Sequence, residues 1–263
     1  MSKKIGFMIL GYKQIKCTIA CIDSVLEHEP NSEVFFLENG SQDGSLQQLQ
    51  DRYQAEPSFH LFTSPYNRGI AAGRNLLRSE LLQSNFAPQT IILLDNDACL
   101  GESVSAQLQS LFVDKAVGAI GPTGYLFDAD FTFFQVEAPA EVDALAAYFL
   151  AIRLDAFLAA GPFDRIFEKF LYGGEDVDFC LSIKKAGYKV LSLPSLPIVH
   201  RGRASSALLG EAFEEHNAAT NKLFIDKWKS DRRVLEVDLN SYKVRQLSER
   251  GYLRGDKPFQ FRD

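Results

Sequence analysis

The chain has 263 residues, 46% of them hydrophobic and 24% charged, with a formal net charge of −6. That composition can bury a sizeable core as one large domain or two fused lobes, which excludes global disorder. The acidic balance argues against a broad nucleic-acid surface, though not against a small phosphorylated ligand.

The amino terminus carries basic residues ahead of a short apolar stretch, but Gly11 and Tyr12 interrupt it, so it reads as a first strand and not as a secretory leader. Strands are expected at about 4–10, 33–37, 58–63 and 90–95. Between the first two, Ile15, Thr18, Ile19, Ile22, Val25 and Leu26 recur at helical spacing, and between the last two Ala71, Ala72, Leu76, Leu77 and Leu81 do the same. This βαβαβαβ alternation predicts a mostly parallel sheet with a nucleotide-binding half. Beyond it the pattern loosens: a helix near 102–113, strands near 117–121 and 131–136, and an apolar segment ending at Ile152. The run ALAAYFLAI at 144–152 is far shorter than the ~20 residues that cross a bilayer. A helix opens at GGEDVDF, broken strands follow with Pro194 and Pro197, and 208–228 reads as helical. Cys17, Cys21, Cys99 and Cys180 form no CxxC pair, which suits core packing in a reducing, cytoplasmic compartment.

Four clusters carry chemistry. The second strand runs into ENGSQDGS, where Glu38 stands at a strand's carboxyl end, the place for a carboxylate that accepts from a ribose hydroxyl or a base edge. The third leads into NRGIAAGRN, whose glycines allow close backbone approach and whose helix start offers free amides to an anion. The fourth ends in Asp95, Asn96 and Asp97; such residues are also ordinary strand terminators, but two carboxylates one residue apart can hold a divalent cation. In YGGEDVDFC, acidic residues suit a helix's first turn, and one of them is placed to act as a general base. His200, closing the strand LPIVH, is a third metal ligand if those carboxylates bind a metal.

In this order and spacing, residues 4–205 resemble the family 2 glycosyltransferases of the GT-A fold, and more narrowly their bacterial rhamnosyltransferase-like branch. ENGSQDGS matches the nucleotide-binding strand end, NRGIAAGRN an Asn-x-Gly-x-x-x-Gly-x-Asn segment, DND the DXD motif, and GPFDRIFEKFLYGGEDVDFCLSIKKAGYKV the acceptor-side ED segment. The resemblance implies an α/β fold with a Rossmann-like sheet, helices on both faces and a smaller acceptor-side lobe. It divides the chain into a GT-A domain at 1–205, with a nucleotide-sugar half at 1–100 and an acceptor half at 101–205, and a helical C-terminal extension at 206–263.

The roles it implies are specific. Asp95, Asp97 and His200 would hold Mg²⁺ or Mn²⁺, with Asp97 the more direct ligand. Asp176 would be the general base and Glu175 would orient the acceptor or the base. Leu10, Tyr12, Glu38, Asn67, Arg68, Gly69, Gly73, Asn75, Asp95 and Asn96 would surround the nucleotide, and Arg68 and Arg74 either add charge near the phosphates or are ordinary helix charges. The donor would be a UDP- or dTDP-linked sugar and the acceptor a glycan or lipid-linked saccharide, with no nucleic-acid partner. Glu38 stands where aspartate is usual, Lys13 where the first strand commonly offers Asn, and Ala146–Ala147 where a Gly-Ala pair is frequent. FIDKW at 224–228 lacks the processive signature, so the resemblance implies transfer of a single sugar and not of a polymer. A sugar-phosphate nucleotidyltransferase and a nucleotide-sugar-binding module without turnover are the rival readings. From Lys227 to Arg254 eight Lys or Arg face four Asp or Glu; a solvated tail is the plainer reading, an anionic membrane surface the other.

Overall fold

The computed structural model describes residues 4–127, 131–202, 211–229 and 231. The first half follows the expected alternation: β1 (Ile5–Gly11), α1 (Ile15–His28), β2 (Glu33–Glu38), α2 (Ser45–Tyr53), β3 (Phe59–Thr63), α3 (Ile70–Gln83) and β4 (Thr90–Asp95). After it come β5 (Ala98–Leu100), α4 (Ser105–Leu111), β6 (Val117–Gly121), β7 (Gly124–Phe127), β8 (Phe133–Val136), β9 (Ala140–Val142), β10 (Ala144–Leu145) and β11 (Phe149–Arg153). The chain then forms α5 (Leu154–Ala160), a 3-10 turn at Arg165–Phe167, α6 (Glu175–Lys185), β12 (Lys189–Ser192), β13 (Ile198–His200) and α7 (Glu211–Trp228).

Eight strands make one sheet in the order β3-β2-β1-β4-β11-β6-β12-β9. Pairing is parallel from β3 through β4 and again between β6 and β12, whereas β11 lies antiparallel to both its neighbours and β9 antiparallel to β12. Beyond residue 100, β6, β9, β11 and β12 extend the same sheet as the first four, whereas β10, β7 and β8 form a separate three-stranded sheet and β13 pairs with β5. Both faces are covered, which is why these strands are apolar along their length and not alternating. Met8, Phe35, Leu37, Ile91 and Leu93 pack under α3, α5, α6 and α7 on one face. Phe7, Ile9, Phe36, Ile92 and Leu94 pack under α1, α2 and α4 on the other.

Register decides where the chemistry lies. Leu10 pairs with Asp95, Gly11 with Glu38, and Glu38 with Thr63, so the carboxyl ends of β1, β2, β3 and β4 form one edge. Strand order reverses between β1 and β4, the position where an open α/β sheet leaves a crevice for ligands.

The short elements β5, β7, β9, β10 and α5 have no counterpart in the sequence reading, because two to seven residues carry too little periodicity to register. The sequence places the last helix at 208–228, and α7 runs Glu211–Trp228. Most of the basic 227–254 segment lies outside the described residues. No helix among those described is long and apolar enough to cross a membrane.

Candidate active site

Asp95 ends β4, Asn96 makes the turn and Asp97 leads into β5. The middle residue turns inward: Asn96 Nδ2 donates to Thr18 Oγ1 of α1 at 2.8 Å. That anchor leaves the carboxylates of Asp95 and Asp97 on a shared side. A long-range ladder supplies the third group, since β13 pairs antiparallel with β5 and sets His200 opposite Ala98. Arg201 N donates to Asp97 O at 3.1 Å, which ties the end of that ladder.

His200 Nε2 stands 3.2 Å from Asp97 Oδ1, and one donor atom from each of Asp95, Asp97 and His200 lies within 4.8 Å of the others. Around a small divalent cation with ligand bonds of about 2.1 Å, neighbouring corners of an octahedron are about 3 Å apart. The Asp97–His200 spacing suits two such corners, and two carboxylates with one imidazole favour a hard cation. Asp95 leaves 42% of its side chain accessible. Crowding around the strand end nevertheless desolvates its carboxyl and pushes its pKa up to about 6. Asp97 and Asp176 add to that rise, while Arg74 and His200 act against it.

At the start of α6 the chain enters through Gly174 in the left-handed region. The three acids of the first turn have separate fates. Asp178 is buried, accepts from Trp228 Nε1 at 2.7 Å and pairs with Lys227 of α7. Glu175 is buried against Arg74 Nη1 at 3.2 Å. Burial and then the neighbouring Asp176 raise the Glu175 pKa, with Arg74 opposing. Asp176 is half-buried; its Oδ1 accepts from Val177 N at 2.8 Å and its Oδ2 from Ala147 N at 3.3 Å, so backbone amides fix its carboxylate and leave it a face toward solvent.

Arg74 joins the two groups. Its Nη2 reaches Asp95 Oδ1 and Ala147 O, both at 3.4 Å, while Nη1 holds Glu175. The sequence alone leaves Arg74 between phosphate-side charge and helix surface; it is a buried bridge. Two further residues escape the sequence reading. The Tyr172 phenol is raised by burial and then by the negative charges of Asp176, Glu175 and Asp95. Tyr148 stacks on His200 with ring centroids 4.1 Å apart and planes 8° from parallel. Tyr148 lies in a run that reads as core, and Tyr172 opens the acidic cluster with no role of its own legible from sequence.

The expected nucleotide-side residues divide by what they touch. Tyr12 is half-buried, with the Lys13 ammonium 5.4 Å from its ring centre. Glu38 is buried and caps its own turn, accepting from Ser41 N at 2.8 Å and Gly40 N at 3.3 Å. Asn39 and Asn67 clasp the loops after β2 and β3 at 3.1 Å, and Asn67 Oδ1 accepts from Gly69 N at 2.9 Å. Arg68 N donates to Asn39 Oδ1 at 3.1 Å and its Nε to Ser64 Oγ at 3.0 Å. Gly69 has φ 78°, and a Cβ there would stand 2.2 Å from Phe170 O, so this loop meets the loop before α6 at backbone distance. Leu10 and Gly73 face each other, a Cβ on Gly73 falling 2.4 Å from Leu10 Cδ2, which seats α3 on β1. Asn75 exchanges hydrogen bonds with the Phe163 backbone at 2.8 and 2.9 Å and donates to Glu168 at 2.7 Å. The side chains of Gly73's neighbour Leu10, Asn75 and Asn96 thus have partners inside the protein, holding the frame around the strand ends.

A cavity of about 170 Å³ near Ile5 and Glu29 lies at the other end of β1. Its buried acid, Glu29, already accepts from Ser103 Oγ, Val104 N and Ser105 N and so caps α4.

The family model described as glycosyl transferase family 2 matches residues 9–170. The chain belongs to this family. Among curated proteins no sequence match is found. Its fold is that of GT-A glycosyltransferases: GalNAc-T7 with UDP, GalNAc and Mn²⁺ superposes with TM-score 0.68 at 14% identity over 95% of this chain. The mannosyltransferase PcManGT of Pyrobaculum calidifontis, with GDP-Man and Mn²⁺, gives 0.62 at 14% over 95%, and S. aureus TarS 1-349 with UDP-GlcNAc gives 0.57 at 15% over 81%. The chain spans 58% of the GalNAc-T7 chain, 76% of PcManGT and 64% of TarS. The family match includes Asp95 and Asp97 and stops short of Glu175, Asp176 and His200, which rest on geometry.

Proposed function

We propose that this glycosyltransferase moves a single sugar from a nucleoside-diphosphate sugar to a hydroxyl of a glycan or lipid-linked saccharide, with inversion at the anomeric carbon and dependence on Mg²⁺ or Mn²⁺. The observation that carries this reading is the Arg74 bridge: one guanidinium hydrogen-bonded to Asp95 and Glu175 makes the carboxylate–imidazole group and the start of α6 a single site. The three structural neighbours, whose complexes hold UDP, GDP-Man or UDP-GlcNAc, support the donor class.

Asp95, Asp97 and His200 would hold the cation. When bound, it supplies charge neutralisation for the departing diphosphate. Asp176 takes the proton from the acceptor hydroxyl as its oxygen bonds to the anomeric carbon. The bond to the diphosphate oxygen breaks on the opposite face, so the products are the inverted glycoside and the free nucleoside diphosphate. A single open carboxylate suits this one-step displacement, since Glu175 and Asp178 are committed to Arg74, Lys227 and Trp228. Tyr12, Glu38, Asn67, Arg68 and Gly69 frame the nucleotide, with Leu10, Gly73, Asn75 and Asn96 fixing that frame. Uridine or thymidine suits it equally, because both bases present the same edge. We assign transfer to residues 1–205 in the cytoplasm and regard 206–263 as an extension whose basic residues can meet an anionic membrane surface.

A panel of UDP-, dTDP- and GDP-sugars with and without Mn²⁺ tests the reading. Metal-dependent release of nucleoside diphosphate is expected. Consumption of a nucleoside triphosphate with sugar 1-phosphate, or binding of nucleotide sugar with no turnover for any acceptor, would replace it with one of the two rivals.

A further inference from the structure

Resting on the cation-site reading above, we propose that Tyr148 is a positioning residue for His200, holding the imidazole by ring stacking where metal-binding histidines ordinarily use a hydrogen bond to the second ring nitrogen. Three observations converge on it. First, His200 needs a holder: it closes a three-residue edge strand, keeps 28% of its side chain accessible, and among the described residues has no hydrogen bond at Nδ1. An exposed edge-strand side chain with one polar contact has several rotamers open to it.

Second, Tyr148 supplies a flat wall at the needed angle. Its ring lies 4.1 Å from the imidazole and 8° from parallel, and its hydroxyl is pinned 2.8 Å from Thr123 Oγ1, so the ring cannot swing away without losing that bond. Third, the same residue is wired into the other ligand: Tyr148 O accepts from Asp95 N at 3.0 Å. The adjoining Ala147 contacts both Arg74 and Asp176 through its backbone. One residue between β10 and β11 thereby sets Asp95 through its backbone and His200 through its ring. The stack leaves Nε2 directed at Asp97.

The test is Mn²⁺ binding alone, titrated by electron paramagnetic resonance on the full chain, with thermal melts run in parallel. H200A and wild type bracket the scale. Y148L is expected to weaken Mn²⁺ binding by about tenfold or more, the usual size for loss of an outer partner of a metal ligand. Y148F keeps the flat face and loses only the bond to Thr123, so it is expected to weaken binding clearly less than Y148L. Should Y148L fail to melt cooperatively, Y148M fills similar volume without a planar surface and carries the same expectation. Wild-type affinity in a folded Y148L or Y148M overturns the proposal, as does equal weakening in Y148F. Wild type and H200A binding Mn²⁺ alike, or neither binding it, overturns the cation-site reading itself and the proposal with it.

Discussion

Carboxylates gather at two places in this molecule, the end of β4 and the start of α6, and the two places treat them in opposite ways. At β4 the acids converge on one another: Asp95 and Asp97 stand with an imidazole, Asp95 also meets Arg74, and desolvation and acidic neighbours raise the Asp95 carboxyl against the pull of that guanidinium. At α6 they are matched one by one. Arg74 takes Glu175, Lys227 and Trp228 take Asp178, and the amides of Val177 and Ala147 take part of Asp176. The difference teaches that residue type does not assign chemistry. Acids whose donor atoms converge with an imidazole on one point suit a cation, whereas acids that are individually satisfied leave over one group to handle a proton.

That contrast can be broken from either side. Asp97→Ala removes the most buried acid of the converging group, and transfer is expected to fall on the order of 10³-fold or more with Mn²⁺ binding lost. Binding and turnover near wild type would mean that the converging cluster holds no cation. Asp176→Asn is expected to lower kcat by roughly 10² to 10⁴-fold while Mn²⁺ binding stays intact, the separation a general base predicts. An equal loss of both would merge the two regions into one.

Arg74→Met sharpens the comparison, because it strips the matched region of a cation and leaves Glu175 buried without its ion pair. A stability loss of about 3 kcal/mol is expected from urea denaturation, and a loss under about 0.5 kcal/mol would show that the bridge does not hold the halves together. A further effect is in pH. Glu175 titrates above its unfolded value, so the folded state retains its proton longer than the unfolded chain does. Stability from this group is present at acid pH and falls as pH rises from the ordinary glutamate range toward its raised value, by at most about 1.4 kcal/mol per pH unit. The difference between wild type and Glu175→Gln, followed by melts across that range, isolates the slope. A difference that is flat, or that grows in favour of wild type at higher pH, contradicts the raised carboxyl.

Much of this was legible in the chain. The alternation through Asp95 gave the four parallel strands within a residue or two, because both faces of β1, β2 and β4 are buried and their apolar runs are continuous. DND and EDVD stood out because acids that close a strand or open a helix are local events. Other features had no local trace. Val199 is exposed and β13 is three residues long, so nothing in that stretch foretells pairing with Cys99 a hundred positions earlier. Tyr148 sits within an apolar run that reads simply as core, yet its ring faces an imidazole from another element. Asn75 and Asn96 carry the amides expected of ligand contacts, and those amides face Phe163 and Thr18.

By itself the sequence determined the order of the elements, the βα alternation and the chemical types delivered to the strand ends, since periodicity, turn residues and helix-opening acids act over a few neighbouring positions. Only the tertiary structure decided which acid meets a guanidinium, which meets an imidazole and which is left open. Arg74 and Glu175 are 101 positions apart, and the charge each feels depends on what folding brings within a few ångströms and how much water it removes.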